Sequence, residues 1–86
     1  ELKFKATARR NKLLGLWAAA ELGKTADEAA AYAKEVVAAD FDEPGDDDVV
    51  RKVVADLAAK GVTEGQVRAK MTELLAEAVR QIQAGT

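Results

Sequence analysis

Cysteine and histidine are both absent from this chain, and Pro44 is its only proline. The first two absences remove disulfides, thiol nucleophiles, imidazole bases and nearly all zinc chemistry. Absence of cysteine also suits a reducing cytoplasm. Aromatic residues make up only 5% of the 86 residues, so a large aromatic core is excluded. No apolar run approaches the roughly 20 residues that a bilayer span requires, and no signal peptide is visible, although the chain opens on Glu1 rather than Met. A net charge of −2 gives no general attraction to nucleic acid or anionic lipid.

What is present is helix-forming. Alanine is abundant, with Leu, Val, Glu and Lys filling most other positions, and 49% hydrophobic beside 33% charged is a globular composition. Punctuation divides the chain into four amphipathic segments, expected at about 2–22, 26–40, 47–59 and 64–83. The first ends at Gly23, the residue type that tolerates a left-handed C-terminal cap. Leu2, Ala6, Leu13, Leu16, Trp17 and Ala20 share one face of it at helical spacing and are its expected core stripe. Trp17 is thus expected in the core, where truncation to Ala costs about 3–5 kcal/mol. Gly15 interrupts this helix, at about 1 kcal/mol relative to Ala, and marks a place where a neighbour can approach closely.

Thr25 with Glu28 and Thr63 with Gln66 have the spacing of capping boxes, fixing where the second and fourth helices begin. Ala29, Tyr32, Ala33 and Val36 form the second stripe, and Pro44 stops that helix. One of Asp46, Asp47 and Asp48 is the expected N-cap of the short third helix, whose inward residues are Val50, Val53, Val54 and Leu57. Val67, Met71, Leu74, Leu75, Ala78 and Ile82 line the fourth. Helices of this length are not stable singly, and the short joints point to an all-α, compact four-helix bundle, first and last helices longest and third short. No second domain is indicated.

Chemistry is poorly supported. Asp40 to Asp48 read as a calcium loop has donors at its first and third places and Gly45 at its sixth. Its fifth place is Pro44 and its twelfth, where a bidentate Glu belongs, is Arg51. A solvated loop capping the third helix is the simpler reading. Every carboxylate falls on a solvent face or in a loop, no Gly-Lys-Ser/Thr phosphate loop occurs, and no catalytic, cofactor or metal residue is assigned.

The first helix carries the strongest binding signal. Lys3, Lys5, Arg9, Arg10 and Lys12 are five cations against the single carboxylate of Glu1, a net of +4 over the first dozen residues. Lys5, Arg9 and Lys12 lie along one edge, and Phe4 projects alone on the far side from the core stripe. An exposed aromatic among cations suits docking on an acidic protein surface, so Phe4, Lys5, Arg9, Arg10 and Lys12 are the candidate partner-binding residues. The other readings of this stretch are a frayed helix end and, with the acidic loop opposing it, nucleic-acid binding.

The run Phe4-Lys5-Ala6-Thr7-Ala8-Arg9-Arg10-Asn11-Lys12-Leu13-Leu14-Gly15-Leu16-Trp17-Ala18-Ala19 resembles the zeta subunit family, small inhibitors of alphaproteobacterial F-type ATP synthases. Ala31 to Phe41, Glu43-Pro44-Gly45 and Met71 to Leu75 extend the resemblance over almost the whole chain. It implies a non-enzymatic, four-helix regulator, cytoplasmic and peripheral to the inner membrane, whose partner is the catalytic head of the synthase at a catalytic interface near the central shaft. It also implies that inhibition is carried by an extreme N-terminal segment that becomes helical as it inserts. Glu1 would fall inside the first family helix, so that segment is expected to be missing, and no inhibitory residue is carried over. A monomer without nucleic-acid binding or membrane insertion is expected. The alternative is a helical adaptor, or a small-anion-binding domain, unrelated to ATP hydrolysis.

Overall fold

The computed structural model describes residues 2–40 and 46–85. Four α-helices run in order among them: α1 (Leu2–Glu21), α2 (Ala26–Ala39), α3 (Asp47–Leu57) and α4 (Glu64–Gln83). A single 3-10 turn, Ala58–Lys60, prolongs α3, and no strand occurs among the described residues. The helix ends follow from local chemistry. Thr25 sits in extended backbone and accepts from the Glu28 amide at 3.3 Å, while the Glu28 carboxylate accepts from the Thr25 amide at 2.9 Å. Those hydrogen bonds hold the Glu28 carboxyl below the usual range. Thr63 and Gln66 repeat the arrangement at α4. At the end of α1, Gly23 takes φ +73°. The Lys24 amide reaches back to the Ala19 carbonyl and the Gly23 amide to that of Ala20, which satisfies carbonyls the helix leaves open.

Helix α1 lies between α2 and α4, and α3 closes the bundle against all three. The core is built from Leu14, Ala18 and Ala19 of α1, Tyr32 and Val36 of α2, Val49, Val50, Val53 and Leu57 of α3, and Val67 and Met71 of α4. Burying each of the larger side chains is worth about 1.5–3 kcal/mol. The expected stripe of α2 is in place, with Tyr32, Ala33 and Val36 buried. In α3, Val49 joins the expected inward set and Val54 is only partly buried. On α4, Val67, Met71 and Ala78 are buried, but Leu75 is 36% exposed and lies outside the core.

The register of α1 differs from the expected one. Its buried residues are Ala6, Arg10, Asn11, Leu14, Gly15, Ala18 and Ala19. Of the expected stripe only Ala6 is buried: Leu2 and Leu16 are exposed at 46% and 36%, and Ala20 is exposed too. Leu13 and Trp17 lie at the margin. The buried face is turned by roughly a third of a turn from the one that the large apolar residues mark. The reason is contact distance. A Cβ built on Gly15 would stand 2.6 Å from the Ala33 Cα, so α2 meets α1 nearly backbone to backbone, over small side chains.

Trp17 is therefore not a central core residue. It packs on the core from outside, and the Lys70 ammonium stands 5.7 Å from its ring centroid. Trp17→Ala is expected to cost about 2–3 kcal/mol, below the range for full burial, and a thermal melt compared with the parent chain checks this.

Candidate docking surface on the first helix

The N-terminal half of α1 buries little apolar surface, and its polar side chains divide between solvent and the bundle. Phe4 is 67% exposed, the most open of the large apolar residues described. Lys5 and Lys12 are exposed and Arg9 is half-buried, all on the edge that the spacing indicated. Together with Phe4 and Ala8 of α1, Val37 of α2 and Ile82 of α4, they line an open groove of about 530 Å³ that ends at Gly85. Arg9 Nη1 donates to Gln81 Oε1 at 3.4 Å, which ties this side of α1 to α4. The arrangement offers an apolar floor with a cationic margin, which suits an apolar side chain presented beside carboxylates.

Arg10 is placed elsewhere. It is only 4% exposed and, about 100° around the helix from Arg9, does not line the groove. Its Nε and Nη2 donate to Asn11 Oδ1 at 3.1 and 2.8 Å, and Nη2 also donates to Asp46 Oδ1 at 2.9 Å. The structure thus brings Phe4, Lys5, Arg9 and Lys12 together and withdraws Arg10 from that set, as an internal tie to the start of α3. Burial of a guanidinium is tolerable here because two acceptors meet it.

Val37, Ile82 and Leu16 were not read as part of a surface. Ile82 was assigned to the core, whereas it is half-buried at the groove wall. Leu16 follows Arg9 and Lys12 on the exposed side and carries an apolar contact point beyond the cations.

Several of the charged groups elsewhere pair with one another. Asp47 accepts from Arg68 at 3.3 Å, Asp48 pairs with Arg51, and Asp46 holds Arg10. Residues 41–45 of the proposed calcium loop lie outside the described residues, and of its four described aspartates Asp46, Asp47 and Asp48 are each engaged by an arginine. Between α2 and α3 the Tyr32 hydroxyl donates to Asp56 Oδ2 at 2.7 Å. Lys52 donates to Asp56 and Glu35, each at 3.1 Å, and stands 4.9 Å from the Tyr32 ring centroid. Burial and the nearby Asp56 carboxylate push the Tyr32 hydroxyl up. Burial also favours the neutral Asp56 carboxyl, but Tyr32 and Lys52 outweigh it and hold Asp56 below the usual carboxylate range. An ionised, hydrogen-bonded carboxylate on a helix surface is a tie between helices, the reverse of a proton donor tuned for neutral pH. Among the described residues no group of three or more Asp or Glu is placed to hold a metal ion, and no helix is long and apolar enough to cross a membrane.

Comparison with known proteins gives a consistent result. The family model described as ATPase inhibitor subunit zeta matches residues 1–81. No curated protein matches the chain. Among solved structures, one determined by solution NMR is 55% identical, with a TM-score of 0.90 and all of both chains covered.

Proposed function

The chain belongs to the ATPase inhibitor subunit zeta family, and on that premise we propose that it docks on the catalytic head of an F-type ATP synthase and restrains ATP hydrolysis. The observation that supports this reading most directly is the groove of Phe4, Lys5, Arg9 and Lys12, where an aromatic left 67% exposed stands among cations. A single exposed apolar residue carries no argument by itself, but an aromatic beside three cations in a groove suits an interface, where burial beside complementary charge gives both affinity and orientation.

The mechanism is steric. The bundle anchors to the head near the central shaft, and the inhibitory N-terminal segment that the family resemblance implies, rather than α1 itself, wedges a catalytic interface. Rotary hydrolysis is then blocked with no bond made or broken by this chain. The helix bundle supplies rigidity: α1 is clamped by α2 and α4 along its C-terminal half, so force applied to its N-terminal half is carried into the body. The groove margin supplies steering, because three cations on one edge accelerate encounter with an acidic face.

The test is association with the isolated head, and its ATP hydrolysis, titrated with this chain and with a Lys5→Glu/Arg9→Glu/Lys12→Glu variant, each also extended by the N-terminal inhibitory segment that the family resemblance implies. Binding by the parent chain and inhibition by its extended form are expected, with the half-effective concentration raised at least about 10-fold by the reversed charges. Equal behaviour of the two chains would remove the basic edge from the interface. Lack of both inhibition and binding would favour a helical adaptor with another partner.

A further inference from the structure

We propose that Arg10, Asn11 and Asp46 form a polar latch that holds the N-terminal limb of α1, residues 2–12, on the bundle. Opening the latch hands the Asp46 carboxylate to α3 as its N-terminal cap.

The limb is held differently from the rest of α1. From Leu14 to Ala19 the buried residues are Leu14, Gly15, Ala18 and Ala19, all packed on apolar neighbours or on the α2 backbone. Before Lys12 the only buried apolar residue is Ala6, and the other buried positions are Arg10 and Asn11. Hydrogen bonds to the Arg10 guanidinium therefore replace the apolar contacts that secure the second half. Segments with little buried apolar surface open at lower free energy than the core they adjoin.

The other end of the latch is itself displaced from an ordinary role. Asp46 occupies the N-cap position of α3, and its carbonyl accepts the first helical bond, from Val50 at 3.0 Å. Its side chain caps nothing, and its backbone stands at φ −97°, ψ −4°. The two side-chain N-caps among the described residues, Thr25 and Thr63, are extended, at ψ 171° and 165°. Aspartate is among the best capping residues, and a capping oxygen accepts from the second or third helical amide, here Asp48 or Val49. The Arg10 guanidinium takes that oxygen at 2.9 Å instead. Asp46 thus has two competing uses, set by its backbone: in the present αR conformation it serves Arg10 and leaves α3 uncapped, and in the extended conformation of a cap it would serve α3 and release the limb. Two discrete arrangements sharing one carboxylate make a bistable element. The limb bears Phe4, Lys5, Arg9 and Lys12, so on the docking reading above the latch governs how those residues are presented. The latch itself is read without any partner, and its failure is distinguishable from failure of that reading.

Amide hydrogen exchange of the 86-residue chain, followed by NMR, tests it. In the parent chain, amides of residues 7–12 are expected to exchange at least about 10-fold faster than those of residues 14–19. Arg10→Met keeps the volume and removes the latch. It should accelerate exchange of the limb at least about 10-fold further while slowing the Asp48 or Val49 amide, as Asp46 turns to cap α3. Asp46→Asn keeps a capping oxygen but loses the charge, and should give the same pattern if the first variant does not fold. A limb that exchanges in step with residues 14–19 overturns the proposal. Faster limb exchange without slower exchange at Asp48 or Val49 overturns it too, because removal of a merely structural contact would not protect α3.

Discussion

Gly15→Leu is expected to abolish the native packing of α1 on α2, with a loss of more than about 3 kcal/mol. Even the first added carbon has no space: it would lie 2.6 Å from the Ala33 Cα, 3.1 Å from the Ala33 Cβ and 3.3 Å from Val36 Cγ2. The closest of these is backbone, which cannot rotate aside as a side-chain end can. Two effects compete in the milder Gly15→Ala. Helix propensity improves by up to about 1 kcal/mol, whereas overpacking costs typically about 1–3 kcal/mol, and the backbone contact puts this site at the costly end. Gly15→Ala should therefore destabilise even though Ala is the better helix former. Gly65→Ala is the control, because its added carbon meets only Thr63 Oγ1, at 3.9 Å; it should be neutral or stabilising. Urea unfolding of the three variants measures the contrast, and a stabilised Gly15→Ala would contradict the close helix approach.

The second large effect separates two leucines that stand two positions apart. Leu14 is wholly buried and Leu16 is 36% exposed. Leu14→Ala should cost about 3–4 kcal/mol, through lost burial and the cavity left behind. Leu16→Ala should cost only about 1 kcal/mol, since about a third of the side chain already faces water and no closed cavity is left behind. On a total stability of about 5–15 kcal/mol the first change leaves a marginal protein and the second an ordinary one. The reverse order of melting temperatures would restore the register that the large apolar residues suggested.

That register shows where the sequence is readable and where it is not. Helix ends were legible because capping is local chemistry: Thr25 with Glu28, Thr63 with Gln66 and Gly23 act within a single turn. The buried stripes of α2 and α3 were legible because Val, Leu and Tyr carry them, apart from Val49. In α1 the buried face is carried mostly by Gly and Ala, with Leu14 as its one large apolar residue and Arg10 and Asn11 as polar members. A reading weighted by side-chain size passes over such a face and chooses the larger Leu13, Leu16 and Trp17. Gly15 was the available signal, since a glycine inside a helix is costly unless something approaches it. The docking residues divide in the same way. Lys5, Arg9 and Lys12 lie together because i, i+4 and i+7 spacing fixes them on one edge, whereas Phe4 joins them only through the groove that α2 and α4 complete. Arg10 went astray because its partner Asp46 stands 36 positions away, and only the fold brings the two together.

The most direct test of the functional account is association of this chain with the isolated catalytic head, measured by calorimetry at low and at raised salt. The account predicts binding that weakens as salt rises and is weaker still, by at least about 10-fold, with Lys5, Arg9 and Lys12 all changed to Glu. Absence of binding by the parent chain, or binding indifferent to both salt and charge reversal, would contradict it.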